Sequence, residues 1–294
     1  MMRLFKQLMG RIFWQPTWCA FVLSYFILWP HLGFAQSFQT QSKHCNNPDA
    51  SAALRVEACS WLIHSGDLPD KGYGIVYRLR ALAQIEDGQY EAAVADLTQA
   101  ISYDPKRVSN YLERASAYSD LDNYDLALED YNSVIFRDPR NADAYYYRAG
   151  IFSDRDQLDM AILDYRAAVR LNPKDSYALN SLAWLLAINP DQAARNGKEA
   201  IGFAKRAVEL DPDDYEIWDT LAAAYVEDGQ WEEALKAYLK AQEVGGQERI
   251  ESDQNWLSEK GYYSGAVDGI ANEATTAALK ACISSSCQMY SEYY

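Results

Sequence analysis

Apolar and small residues recur along the middle of the chain at helical spacing and, on a longer scale, with a period of about 34 residues. Each segment has an aromatic residue early, an alanine in its second half and a proline at its end. In the first three segments these residues are Tyr77, Tyr111 and Tyr145, then Ala93, Ala127 and Ala161, then Pro105, Pro139 and Pro173. A period of this length predicts pairs of helices that stack to bury their apolar faces, and therefore an all-α fold.

The order of residues within each segment is also regular. The second segment has large and small residues at fixed places, namely Tyr111, Ala115, Tyr118, Ala127, Tyr131 and Pro139. This order resembles the tetratricopeptide repeat family. The resemblance implies a right-handed superhelical solenoid of five repeats, at residues 72–107, 108–141, 142–175, 176–214 and 215–246.

An arginine in the first helix and an aspartate in the second accompany each other through three repeats. The pairs are Arg80 with Asp96, Arg114 with Asp130, and Arg148 with Asp164. Repeats four and five lose both charges together, with Leu182 and Phe203, then Leu221 and Ala237, in their places. Because the arginine and the aspartate are present together and lost together, we predict that the two side chains contact each other. They would form ion pairs in the first three repeats, and apolar contacts would replace these pairs in repeats four and five. This structural ladder accounts for the charges without a catalytic role.

The fourth repeat is longer than the others, since Pro212 follows Pro173 at a wider spacing than Pro173 follows Pro139. The extra residues fall within 189–197. Insertions into a stacked array form loops on one face. Two interpretations stay open, a binding loop and a lengthened turn.

The inner face of the first helices is the expected ligand groove of such an array. Its candidate residues are Ser109, Leu112, Ser116, Asp143, Tyr146 and Asp219. Some tetratricopeptide domains clamp a peptide's terminal carboxylate there with Lys and Asn, where this chain has Asp or Glu. A basic or apolar peptide or protein segment is therefore the expected partner. A solvated acidic face without a ligand is the alternative.

The N-terminal residues 1–35 have the pattern of a secretory signal peptide. Three basic residues precede an apolar run from Trp18 to Trp29, and Ala35 marks the expected cleavage site. An uncleaved membrane anchor is the alternative, although Pro30 interrupts a run that is short for a span. Cleavage would change the formal net charge from −15 to −18. Such an acidic chain disfavours nucleic acid as a partner, and export predicts a periplasmic or secreted protein.

Four cysteines remain after cleavage, and an even number in an exported chain predicts disulfides. Proximity in the sequence favours Cys45 with Cys59 and Cys282 with Cys287. The first pair would staple residues 36–71, which we expect to form a helical cap on the first repeat. The cysteines lack the spacing of a metal site.

A different pattern follows Gly246. Its pieces are Leu257-x-x-x-Gly261-Tyr262-Tyr263, Val267-Asp268-Gly269-Ile270 and Thr275-x-Ala277-Ala278. They resemble the small three-helix peptidoglycan-binding domain of bacterial cell-wall hydrolases, over residues 247–285, before a tail of residues 286–294. The resemblance implies sugar contacts from Tyr262, Tyr263 and Asp268. The chain departs from the family at Asp253-Gln254, Asn272-Glu273 and Cys282-Ile283.

The sequence has no Ser-His-Asp order, no His-Glu-x-x-His motif and no glycine-rich phosphate loop. We therefore expect a non-enzymatic protein without a cofactor or metal. The leading hypothesis is a periplasmic adaptor that holds a protein partner and tethers it to peptidoglycan. The alternatives are a pure protein–protein scaffold and an accessory subunit of a wall hydrolase or secretion complex. A membrane role would follow only from an uncleaved signal.

Overall fold

A computed structural model describes residues 37–285, and all regular elements in that range are helical. The predicted signal peptide and Cys287 lie outside the described residues. The chain forms two compact units that divide after Leu121, within the second predicted repeat. No helix in the described range is both long enough and apolar enough to cross a bilayer.

The first unit starts with helical residues 37–45. Four helices follow, namely α1 (Ala52–Ser65), α2 (Asp70–Glu86), α3 (Tyr90–Tyr103) and α4 (Val108–Asp120). A disulfide joins Cys45 to Cys59, as proximity in the sequence predicted. Both cysteines lie in a buried cluster with Leu62 and Val76, which extends the core from α1 onto α2.

The second unit contains the second helix of repeat two, three further helical pairs and a C-terminal extension. Its helices are α5 (Tyr124–Arg137), α6 (Ala142–Asp154), α7 (Leu158–Leu171), α8 (Ser176–Ile188), α9 (Gly197–Leu210), α10 (Tyr215–Glu227), α11 (Trp231–Glu259) and α12 (Glu273–Ser284). Successive helices from α5 to α12 pack mainly on their neighbours in sequence. This local packing is what the repeat period predicts.

The turn inside four of the repeats contains a residue with positive φ at the same register. The residues are Gly88, Asp122, Asp156 and Gly229, with φ between 55° and 75°. Glycine and aspartate enter this left-handed region more easily than most residues, so the chain reverses there. Between repeats, a residue with non-helical backbone precedes proline, as at Asp138 before Pro139, because proline disfavours helical backbone in the residue before it.

The alanines of the period are fully buried where paired helices approach each other. Ala93, Ala127 and Ala161 have no exposed surface, and the rings of Tyr131 and Tyr165 are buried beside such positions. Small side chains at fixed places let the helices come close, while the aromatic rings fill the remaining volume. The all-α expectation from the period is confirmed.

The predicted contact between the repeated arginines and aspartates is confirmed within each unit. Arg80 donates two hydrogen bonds of 2.7 Å to Asp96 in the first unit, and Arg148 pairs in the same way with Asp164 in the second. In the fourth repeat Leu182, which takes the place of the arginine, is completely buried. In the fourth repeat, a buried leucine therefore takes the place of the arginine of the ion pair.

The insertion in the fourth repeat forms a short loop with a 3-10 turn at Gln192–Ala194. Arg195 holds this loop, donating 2.5 Å to the carbonyl of Asn189 and pairing with Glu227 of α10 at 3.1 Å. Gly197 follows at a place where a Cβ would lie 2.7 Å from the backbone nitrogen of Asp228. These contacts favour the interpretation of the insertion as a lengthened turn.

Helix α11 changes direction at Gly246, whose φ of 65° and ψ of −151° lie outside the helical region. The residues beyond it fold back on the preceding repeats. Trp256 and Leu257, together with Leu279 and Ile283 of α12, belong to the same buried cluster as residues of α8 and α10. The described residues 247–285 contain two helical segments, where the family resemblance had implied three.

Candidate functional site

A groove of about 580 Å³ lies within the second unit. Helices α6, α8 and α10, each the first helix of its repeat, form most of its wall, and Tyr165 comes from α7. The part of α11 beyond Gly246 supplies the rest. The lining residues are Gly150, Ser153, Asp154, Tyr165, Asn180, Ser181, Trp184, Leu185, Tyr215, Glu216, Asp219, Thr220, Arg249 and Ser252.

The repeat register explains why these side chains share one face. Gly150 on α6 and Trp184 on α8 are one repeat period apart in the sequence and occupy equivalent places. Asn180 on α8 and Asp219 on α10 are also equivalent once the insertion in the fourth repeat is counted. Equivalent positions on parallel helices of a stacked array face the same side. Small residues such as Gly150 and Ser181 leave the volume between the aromatic rings open.

Two adjacent glycines allow α11 to contribute to the groove. Gly246 supplies the positive φ, which only glycine adopts at no steric cost with this ψ. At Gly245 a Cβ would lie 2.6 Å from the Cβ of Arg249, so only a hydrogen fits beside that side chain. Arg249 and Ser252 are thereby placed opposite Asp219 and its neighbours.

A buried charged network joins α10 to α11 in the wall of the groove. Arg249 donates to Asp219 at 2.8 Å and lies 2.9 Å from Asp253. Asp253 has no exposed surface and also accepts 2.6 Å from the side chain of Gln242. The guanidinium of Arg249 lies 5.6 Å from the ring centre of Tyr215, a cation–π distance. One cation is therefore shared by two carboxylates.

Burial and the second carboxylate raise the pKa of Asp219 to about 7, although Arg249 opposes that rise. Desolvation also raises the pKa of Asp154 on α6, and burial raises the pKa of Tyr165 to about 12. The groove thus has carboxylates whose charge is incompletely compensated by the protein, beside a tyrosine that stays neutral.

Family models of the tetratricopeptide repeat match residues 76–107, 112–176, 151–215 and 203–236. Together they cover more than half of the chain and include the three first helices of the groove. The chain is a tetratricopeptide repeat protein.

Solved structures of other tetratricopeptide repeat (TPR) proteins have a similar fold. The C-terminal part of a TPR repeat-containing protein from Cytophaga hutchinsonii is 19% identical, with a TM-score of 0.59 over 76% of this chain and 87% of that one. YrrB, described as a TPR protein with an unusual peptide-binding site, is 21% identical, with a TM-score of 0.51 over 64% of this chain and 93% of its own. MamA from Desulfovibrio magneticus RS-1 is 19% identical, with a TM-score of 0.52 over 59% and 95%.

At these identities the similarity establishes the fold alone. A comparison of the sequence with curated proteins finds no match.

The TPR groove residues expected from sequence lie at several places. Asp219 lines the groove. Tyr146 packs against the groove residue Tyr165, with ring centres 5.7 Å apart, and Asp143 is exposed on α6 without lining the groove. The other three, on α4 of the first unit, are half-buried, namely Ser109, Leu112 and Ser116. Sequence reasoning missed Trp184, Arg249 and Ser252; the equivalence of Trp184 to Gly150 in the TPR register could have revealed the first.

The C-terminal residues expected to contact sugar differ in exposure. Tyr262 is half-buried, with its hydroxyl 2.6 Å from that of Ser285. Tyr263 is buried, and its hydroxyl donates to the carbonyl of Ala266 at 2.9 Å. Asp268 is exposed and accepts 3.0 Å from the backbone of Ile270. The ring of Tyr263 belongs to the core, so Tyr262 and Asp268 remain as surface candidates.

A buried glutamine shapes the loop that contains Asp268. Gln254 has no exposed surface, and its side-chain oxygen accepts 2.9 Å hydrogen bonds from the backbones of Asp268 and Gly269. Its nitrogen lies 3.2 Å from Thr275 and 3.1 Å from the carbonyl of Ile270. Because Gln254 was noted only as part of a departure from the family pattern, sequence reasoning missed this role.

Proposed function

We propose that this protein is a non-enzymatic adaptor that holds a segment of a partner protein in the groove of its second unit. The observation that carries the proposal is the open groove formed by three first helices of successive repeats and lined also by Arg249 and Ser252. Its aromatic and polar lining suits an extended peptide, which needs apolar contact and a few fixed hydrogen bonds.

Two helical glycines give a matched test of the groove. A side chain at Gly150 would project into the groove, since a Cβ there meets only the Tyr165 hydroxyl, at 3.9 Å. A side chain at Gly202 on α9 would meet nothing within 4 Å and lies outside the groove. Peptides selected from a display library by the full chain should lose binding to Gly150→Tyr and keep it to Gly202→Tyr. Equal binding to both variants would overturn the proposal.

Export to the periplasm is the second part of the proposal. The signal pattern in residues 1–35 supports it, and the Cys45–Cys59 disulfide suits an oxidising compartment. N-terminal sequencing of the protein from a Gram-negative host tests it. The first residue is expected to be Gln36. An N-terminus that still includes residues 1–35 would indicate a membrane-anchored adaptor instead of one released by cleavage.

Tethering to peptidoglycan through residues 247–285 is the third part. Truncation at Gly246 would also remove Arg249 from the groove, so point variants of the full chain are the better test. Retention on purified sacculi should be lost with Tyr262→Ala and Asp268→Ala. It should persist with Tyr177→Ala, which removes an exposed tyrosine of α8. If the unchanged chain is not retained, the adaptor acts as a protein–protein scaffold without wall binding.

A further inference from the structure

The groove has an excess of negative charge. Among the residues that line it, Asp154, Glu216 and Asp219 are acidic and Arg249 is the only basic one. Arg249 is itself bound to Asp219 and to the fully buried Asp253. The positive charge of Arg249 is therefore already paired with carboxylates of the protein. A ligand in the groove meets an excess of carboxylates over basic side chains.

Two side-chain oxygens of the groove lining also have unused capacity to accept hydrogen bonds. The side-chain oxygen of Asn180 is buried and has no hydrogen-bond partner among the described residues. Within the same range, Asp219 uses one carboxylate oxygen for Arg249 and leaves the other open. Lysine and arginine side chains donate hydrogen bonds and accept none. A donor-rich cation therefore matches the charge of the groove and can donate hydrogen bonds to these two oxygens.

The aromatic lining suits the rest of such a side chain. Tyr165, Trp184 and Tyr215 line the same volume, and aromatic faces attract guanidinium and ammonium groups. The protein already places one guanidinium over Tyr215, that of Arg249 at 5.6 Å. The aliphatic stem of a lysine or arginine would contact the rings while its charged end reaches the carboxylates.

We propose that the groove recognises a basic, extended segment of a partner protein by taking a lysine or arginine side chain between its aromatic rings and against Asp219. This inference rests on the adaptor function proposed above and specifies the chemistry of the partner. Small free cations such as a polyamine share the same chemistry, and the experiment separates them from a peptide.

The test is calorimetric titration of the full chain at low salt with three short probes: an alanine/lysine peptide, its alanine/glutamate counterpart and spermidine. We expect binding of the lysine peptide and none of the glutamate peptide. Tighter binding of spermidine than of the peptide would overturn recognition of a protein segment. Equal binding of both peptides would overturn recognition of a cation.

Charge-neutralising variants locate the interaction. Asp219→Asn keeps an acceptor for Arg249 and should weaken lysine-peptide binding at least tenfold. The double variant Asp154→Asn/Glu216→Gln changes two exposed carboxylates, which avoids the buried network, and should weaken binding about tenfold. The control Asp159→Asn/Glu209→Gln removes the same charge from exposed positions outside the groove. It should change affinity less than twofold.

An equal loss of affinity in the control would mean that the probe responds to the net charge of the chain, and it would overturn the assignment of the binding site to the groove.

Failure of this inference can be distinguished from failure of the adaptor proposal. Library peptides could lose binding to Gly150→Tyr and yet show no enrichment in lysine or arginine. That result would support the adaptor function and overturn this inference. If no groove-dependent peptide is found, the adaptor proposal itself fails.

Discussion

The guanidinium of Arg148 on α6 donates two hydrogen bonds, of 2.7 and 2.8 Å, to the carboxylate of Asp164 on α7. The same guanidinium donates a hydrogen bond of 2.5 Å to the side-chain oxygen of Asn132 in the preceding repeat. It also lies 5.6 Å from the ring centre of Tyr145. Arg148 therefore connects the two helices of its own repeat to each other and to α5.

Breaking this pair should cost more than replacing it. Asp164→Ala leaves a largely buried guanidinium without its carboxylate, so the free energy of unfolding should fall by about 3 kcal/mol. The double variant Arg148→Leu/Asp164→Phe copies the residues of the fourth repeat and should lie within about 1 kcal/mol of the unchanged protein. Urea denaturation of all three proteins measures both effects. A double variant as unstable as Asp164→Ala would show that the apolar exchange does not transfer between repeats.

Two glycines of α9 should respond to alanine with opposite signs. At Gly197 a Cβ would lie 2.7 Å from the backbone of Asp228, whereas at Gly202 nothing lies within 4 Å. Gly197→Ala should destabilise the protein by about 1–3 kcal/mol through overpacking. Gly202→Ala should stabilise it by up to about 1 kcal/mol through helix propensity. Thermal unfolding of the two variants compares them directly, and a shift in the same direction would contradict the packing at Gly197.

Asn110 on α4 should be an unfavourable core residue. It is completely buried, and neither its amide nitrogen nor its amide oxygen has a hydrogen-bond partner among the described residues. Alanine occupies the equivalent position in the third and fourth repeats, at Ala144 and Ala178, where it is also fully buried. Asn110→Ala should therefore raise the free energy of unfolding by about 1 kcal/mol, because an unpaired amide no longer needs to be buried.

Asn132→Ala is the matched control for that change. Asn132 accepts the hydrogen bond from Arg148, so the same substitution there should lower stability by about 1 kcal/mol. If Asn110→Ala is also destabilising, the amide of Asn110 makes a contact that offsets its burial.

Binding of the alanine/lysine peptide should strengthen as the pH rises from 6 to 8. The pKa of Asp219 is about 7, so this carboxylate loses its proton in that interval, and its charged form attracts the ammonium group. The charged groups around it are Arg249 and Asp253 on α11, Glu216 on its own helix and Asp154 on α6. Titration at several pH values should give a rise of severalfold. Asp219→Asn should remove the rise, and a rise that persists in that variant would assign it to another group.

The repeat period was sufficient to predict the helical pairs, since each repeat packs mainly through contacts close in sequence. It also predicted the Arg80–Asp96 contact, because the two residues change together along the chain. The groove was only partly predictable. Asp219 was identified from its position on a first helix, but its partner Arg249 lies 30 residues further on, in a segment assigned to another role.

The position of that partner depends on Gly246, where the helix changes direction. A sequence shows that a glycine is present but does not show which backbone angles the surrounding packing selects. The burial of Tyr263 was missed for a similar reason. A tyrosine next to a turn is compatible with either surface or core, and the side that it faces depends on the packing of α11 and α12 against the repeats.

The change of helix direction at Gly246 also limits the number of repeats. A stack of helical pairs has no intrinsic length, because each pair presents at its open edge the surface on which the next pair would pack. Here the chain folds its own Trp256 and Leu257 into the common core after the fifth repeat. One glycine therefore acts as a terminator for a modular array. Lengthening such a protein by duplicating a repeat would require the copy to be inserted at a boundary between repeats, such as before Tyr215, and not appended after Glu259.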